Sequence, residues 1–216
     1  DINPSGGLVD TYCYDNYSSP AMQNFVATIY GGYAKDIIPD SAKSYMIYQE
    51  GIYVGYRYFQ TADVPVSYPF GYGMSYTTFE YSEPVVKATT DGFTASITVK
   101  NTGAVAGKEA VQLYVAAPAG GLEKPAFELK GFAKTKELAP GELQTLTINI
   151  EKYALASFNE AASAWETAAG TYKVMFGANA ADIRSTAEYE LKKAESWKAH
   201  NVLAPSEPLR EISLQE

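Results

Sequence analysis

Four stretches of the chain alternate apolar and polar residues with a period of two. Phe93, Ala95, Ile97 and Val99 interleave with Thr94, Ser96, Thr98 and Lys100. Val111, Leu113 and Val115 flank Gln112 and Tyr114, Leu146, Ile148 and Ile150 flank Thr147 and Asn149, and Tyr172, Val174 and Phe176 flank Lys173 and Met175. This period places successive side chains on opposite faces of an extended backbone, so each stretch predicts a strand with one face on a core. Turn signals divide them, at Thr90–Gly92, Asn101–Gly103, Ala117–Gly121, Ala139–Gly141 and Ala169-Gly170. Glycine, proline, asparagine and aspartate favour such reversals through positive φ, a fixed φ or local side-chain hydrogen bonds. About seven short strands at this spacing predict a mainly β fold, an antiparallel two-sheet sandwich of the immunoglobulin or fibronectin type III kind. Trp165, set among alternating β residues, reads as a core or sheet-edge ring rather than a sugar platform.

Ahead of the sandwich no period holds for long. Leu8–Tyr14 reads as a short strand and Ala21–Tyr30 as a short helix, with Ser/Pro and Gly-Gly punctuation between elements. This half is therefore expected to be largely irregular, with short helices, draped over something larger. The last stretch, from Lys192, is charged and then polar with Pro205 and Pro208, and reads as a short helix, an extended tail or a linker. The expected divisions are 1–75, 76–191 and 192–216.

Between the two textures lies a run dense in rings: Tyr48-Gln49-Glu50-Gly51-Ile52-Tyr53-Val54-Gly55-Tyr56-Arg57-Tyr58-Phe59, continued by Tyr68-Pro69-Phe70-Gly71-Tyr72-Gly73-Met74-Ser75-Tyr76-Thr77-Thr78-Phe79. Large rings that keep a phenolic hydroxyl suit a buried seam between domains or the wall of a polar-ligand site. Glu50, Tyr53, Arg57, Tyr58 and Tyr72 are the candidate residues, either as a structural seam or as a substrate rim. The alternation of rings with turn glycines favours the seam, with Arg57 donating to loop carbonyls and spaced to pair with Glu50.

These residues carry a resemblance. The run Glu50–Phe59 with Tyr68–Phe79 is similar to the segment that joins the α/β sandwich domain to the fibronectin type III-like domain in family 3 glycoside hydrolases. Asp1-Ile2-Asn3-Pro4-Ser5-Gly6 resembles a loop late in that family's sandwich domain. Asn101-Thr102-Gly103, Val111–Val115, Glu128–Phe132 and Leu138–Glu142 resemble its fibronectin-like module. Gly7 and Met74 depart from the family's usual Lys/Arg and Leu. The resemblance implies that the chain starts inside a domain and belongs to a larger, soluble β-glucosidase or β-xylosidase, cytoplasmic or secreted. The parent's catalytic domains would then be the chain's partners, with a β-linked oligosaccharide or glycoside reached through them. An apolar patch left bare by those domains would also permit self-association.

Composition narrows the alternatives. The chain has 216 residues, 46% of them hydrophobic, enough to bury a core. A net charge of −8 with a pI near 4.8 argues against nucleic acid and anionic membrane surfaces as partners, because phosphate binding needs clustered Lys and Arg. The single cysteine, Cys13, has no internal disulfide partner, and the single histidine, His200, lies in a polar stretch. No metal site, no cofactor and no Ser/His or Cys/His nucleophile is therefore expected.

Retaining hydrolysis of a glycoside needs two carboxyl groups about 5–5.5 Å apart. The resemblance implies that the parent's nucleophilic Asp sits on a (β/α)₈ barrel and its acid/base Glu on the sandwich domain, outside the matched segments. Glu50 beside Arg57 would have its pKa lowered, the wrong direction for an acid catalyst. Asp10 and Asp63 read as turn acids. No catalytic residue is assigned, and the chain is expected to be an inert, bracing fragment of such an enzyme; the alternative is a stand-alone module binding a glycan or a protein.

Overall fold

The computed structural model describes residues 51–200. The expected strand at Leu8–Tyr14, the helix at Ala21–Tyr30, Cys13, Asp10 and Glu50 lie outside the described residues.

After a six-residue helix, α1 (Tyr56–Thr61), the chain is almost entirely β: β1 (Phe79–Tyr81), β2 (Val85–Thr89), β3 (Gly92–Asn101), β4 (Ala110–Ala116), β5 (Glu128–Lys134), β6 (Leu143–Glu151), β7 (Ser157–Asn159), β8 (Ala164–Glu166), β9 (Gly170–Asn179), β10 (Asp182–Leu191) and β11 (Ser196–Lys198). A 3₁₀ turn, Lys152–Leu155, follows β6. All pairings among the named strands are antiparallel.

Two four-stranded sheets form the sandwich. In the first, β3 is flanked on one side by β6, in register from Gly92 opposite Glu151 to Lys100 opposite Leu143, and on the other by β2 and β1 in succession. Pro84 falls in the gap between β1 and β2, where its missing N–H breaks no ladder bond. Gly92, at the β2–β3 hairpin, has φ +156°, and a Cβ there would stand 2.0 Å from the Ile150 carbonyl oxygen, so close strand approach requires glycine. The second sheet runs β10-β9-β4-β5. Phe93, Ile97, Val99, Leu146, Ile148 and Ile150 from one sheet meet Val111, Leu113, Val174, Phe176, Tyr189 and Leu191 from the other to form one core. The alternation read from the sequence is observed in β3 and β6, and the mainly β sandwich is the fold.

Two polar anchors fix the ends of the sandwich. Tyr172 donates its hydroxyl to the Ala168 carbonyl at 2.9 Å and accepts from the Ala168 amide at 3.2 Å, the tyrosine corner found where a sandwich strand begins. Asn101, fully buried, accepts from Thr77 Oγ1 at 2.6 Å and the Gly103 amide at 3.0 Å, and donates from Nδ2 to the carbonyls of Val105 and Leu138 at 2.8 Å each.

Three features differ from the sequence reading. β4 is buried on both faces, not one, because a segment outside the sandwich covers its outer side. Residues 196–198, within the stretch read as a tail, form a strand paired with β8. Trp165 belongs to neither core nor sheet edge: it lies on the middle strand of a third, three-stranded sheet ordered β11-β8-β7.

Candidate functional site

The aromatic run wraps the outer face of the second sheet. Gly51 and Gly55 take φ +53° and +68°, left-handed values that turn the chain into α1. Tyr53 is completely buried and donates its hydroxyl to Glu123 Oε1 at 2.6 Å. The Tyr56 ring stacks on Phe70 at 4.5 Å and meets Tyr114 edge-on at 6.1 Å, while its hydroxyl accepts from the Leu129 amide at 2.6 Å. Thr61 Oγ1 accepts from the Ala126 amide at 2.9 Å. Tyr114 and Met175 on the sheet and Ala180 in the β9–β10 turn, with Tyr56, Phe127, Leu129 and Ile183 around them, make a second apolar cluster opposite the main core. Burial pushes the hydroxyl pKa of Tyr56 and of Tyr114 up, so both rings stay neutral and serve as packing with a polar tip.

The continuation of the run is fastened by its backbone. The Phe70 carbonyl accepts from the Ala180 amide at 2.9 Å and the Gly71 carbonyl from Gln112 Nε2 at 3.1 Å. Gln112 Nε2 also donates to the Ala178 carbonyl at 2.7 Å, and its Oε1 accepts from Tyr114. Beyond this anchor the side chains turn outward. Tyr72 is 48% exposed, Met74 89% and Tyr76 fully so, and Tyr68 and Tyr72 lean together at 5.2 Å between ring centres.

The five residues singled out from the sequence are thus distributed. Tyr53 sits under the seam. Arg57 Nη1 donates to the Ile52 carbonyl at 3.4 Å, and its Nε lies 3.7 Å from Glu128 Oε1. Tyr58, half-buried, packs edge-on to Phe59 at 5.6 Å. Tyr72 faces outward, and Glu50 lies outside the described residues. Local spacing pointed to Glu50 as the partner of Arg57; the carboxylate that the described residues place beside it is Glu128, 71 positions further on.

Sequence reasoning missed the sheet's side of the seam: Gln112, Glu123, Phe127 and Glu128. One signal was available, since Gln112 interrupts the apolar run Val111–Val115 and a polar residue there demands partners.

Chemically the seam is occupied. Glu123 is bound by Tyr53, and Glu128 by Lys130 at 2.9 Å and by Arg57. Lys124, whose ammonium reaches Ser157 Oγ, has its pKa lowered by burial. Among the described residues no three His, Cys, Asp or Glu side chains are grouped as metal ligands, and His200 is exposed.

This architecture has relatives. The fibronectin type III-like domain family matches residues 109–180. The chain is 39% identical over 200 residues to a β-glucosidase of Kluyveromyces marxianus, covering 92% of this chain and 22% of that protein. It is 40% identical over 222 residues to a β-glucosidase of Ruminococcus albus, covering 98% and 21%. The chain is homologous to the C-terminal part of family 3 β-glucosidases. Among solved structures, β-glucosidase 3B of Thermotoga neapolitana in complex with glucose superposes with a TM-score of 0.70 at 39% identity, over 77% of this chain and 23% of that one. The family 3 β-glucosidase of Bifidobacterium adolescentis gives 0.68 at 32% identity, over 88% and 26%. The chain spans between a fifth and about a quarter of the length of these relatives. Relatives occur in both fungi and bacteria.

Proposed function

We propose that this chain is the non-catalytic, bracing part of a larger bacterial β-glucosidase of carbohydrate metabolism, in which residues 1–75 close the α/β sandwich domain, 76–191 form the fibronectin-like module and 192–216 lead away from it. Glu50, Tyr53, Arg57, Tyr58 and Tyr72 are its seam, and the catalytic domains of the parent are its partners. A β-linked glycoside or oligosaccharide is reached through those domains, and nucleic acid and membrane are not partners.

The observation that carries this reading is the two-sided loop at 68–76. Its backbone is fastened to the sandwich through Phe70 and Gly71, while Tyr72, Met74 and Tyr76 project from it. Exposed rings on an anchored loop mark a docking surface. The same patch would allow two free chains to associate through it.

Three measurements test the proposal. The chain alone should not turn over an aryl β-glucoside, whereas the full-length parent should; turnover by the chain alone would refute the bracing role. In the parent, Met74→Asp with Tyr76→Ala should loosen the attachment of the module, read as earlier proteolytic release and lower activity at raised temperature. For the free chain, gel filtration should give an apparent mass above 23.5 kDa that returns to the monomer value in that double variant.

A further inference from the structure

The small third sheet carries a row of rings that the sandwich does not use. Phe158 of β7 stands opposite Trp165 of β8, and Trp165 stands opposite Trp197 of β11. Directly opposed residues of antiparallel strands share one face, so the three side chains emerge together at successive strands, about 4.7–4.9 Å apart. The Phe158 and Trp165 ring centres are 5.4 Å apart, with their planes tilted by 60°. Tyr153, from the 3₁₀ turn, fills the flank at 5.9 Å from Trp165 and 5.3 Å from Trp197. None of the four belongs to either apolar cluster, and Tyr153, Phe158 and Trp165 keep 49%, 40% and 38% of their surface exposed.

The charged groups around the row are already hydrogen-bonded. Lys152 binds Glu195 at 2.6 Å, Asn159 donates to Glu166 at 2.9 Å, and Lys198 donates to the Ala162 carbonyl at 2.6 Å. The strip therefore offers hydrocarbon faces and a phenolic hydroxyl, flanked by charged side chains that are engaged with the protein itself.

We propose that Phe158, Trp165 and Trp197, with Tyr153 at the rim, form a stacking platform for an extended, uncharged β-linked glucan. The equatorial hydroxyls of a β-glucosyl unit leave its C–H bonds directed at the two faces of the sugar ring, and these meet the negative faces of aromatic rings. A β-linked chain presents such faces in series, and because neighbouring rings of the row are tilted by 60°, each ring meets its own glucosyl unit of a bent chain rather than one flat run. A small apolar ligand would instead need an enclosed pocket, and a polyanion would meet the chain's charge of −8. The inference rests on the reading of the parent as a β-glucosidase: the platform would hold a polymeric substrate away from the bond being cut.

Both tryptophans of the chain lie in this row, so tryptophan emission reports on it alone. The full chain is titrated with soluble mixed-linkage β-glucan and, in parallel, with the α-linked glucan pullulan, followed by emission and by retardation in native gels. β-Glucan should shift the emission and retard the chain, and pullulan should do neither. Trp165→Ala should weaken binding about tenfold or more. Because Trp165 also packs against its neighbours, Tyr153→Phe at the rim is the second variant; it keeps the ring packing and removes only the hydroxyl, and should weaken binding at a nearly unchanged melting temperature. The proposal is overturned by no response to β-glucan, by equal response to pullulan, by binding that survives both variants, or by a chain dimer that Trp165→Ala dissociates. Failure of the parent reading would show separately, as absence of aryl β-glucoside turnover by the full-length protein, a substrate too small to need the platform.

Discussion

At Asn101 every polar atom of the side chain has a partner inside the protein: Oδ1 accepts from Thr77 and Gly103, and Nδ2 donates to Val105 and Leu138. Substitution to Asp would replace two donors by an acceptor facing two carbonyls, and leaving such groups buried and unpaired is expensive. Asn101→Asp should lower unfolding stability by roughly 3 kcal/mol or more, read from urea denaturation. Glu109 makes a different residue-scale prediction. It accepts from the Tyr81 hydroxyl at 2.8 Å and pairs with Arg184 at 3.3 Å, and the Arg184 guanidinium lies 4.9 Å from the Tyr81 ring centre. Burial nonetheless raises the Glu109 pKa, against the opposing effects of Tyr81 and Arg184. A carboxyl raised in the folded state binds a proton that the unfolded chain has already released. Its contribution to stability is fully present below the ordinary carboxyl value and is lost as pH rises through the raised one. Melting temperature against pH across that window should therefore be flatter in Glu109→Gln than in the parent chain.

Gly71 joins two elements, the anchored loop and β4, and this is where an element-scale change should be felt. Its φ is +80°, and a Cβ would fall 2.2 Å from Gln112 Oε1. Gly71→Ala therefore meets both backbone strain and a collision with the side chain that holds the loop, and should cost about 1–3 kcal/mol. Gln112→Ala removes the same tie without the strain. Both variants should speed protease cleavage between Tyr68 and Met74 and lower the urea midpoint, the first through backbone strain and the second by leaving the Tyr114 hydroxyl and the Ala178 carbonyl without their partner. The elements themselves were legible to different degrees. β3, β4, β6 and β9 announced themselves because a period of two is written by one face on a core. β10 was missed because Arg184, Ser185 and Thr186 dilute its pattern on an outer strand of the sheet, and β7, β8 and β11 because three residues each are too few to show a period. The seam's rings were visible as composition, yet its partners were not, since Glu123, Phe127 and Glu128 reach it only through long-range folding.

At the scale of the whole molecule the seam completes the sandwich. β4 has Val111, Leu113 and Val115 on the core and Gln112 and Tyr114 on the other face, both buried. The outer face is covered by Tyr56 and Phe70, with Tyr53 and Phe59 buried alongside. A module cut at the start of β1 would keep both sheets and its main core but would bare Tyr114, Met175 and Phe127 together. Each large ring removed from such packing forfeits about 1.5–3 kcal/mol of burial, and a contiguous exposed apolar face favours association. A chain beginning at Phe79 should therefore unfold at lower urea, bind a hydrophobic dye in its native state and aggregate with concentration. A chain beginning at Glu50 keeps that face covered, so it should unfold at higher urea, bind less dye and aggregate less than the shorter one. Equal stability of the two would mean that the aromatic run only rests on the sandwich, and the boundary of the folding unit would then lie at β1 rather than ahead of Tyr53.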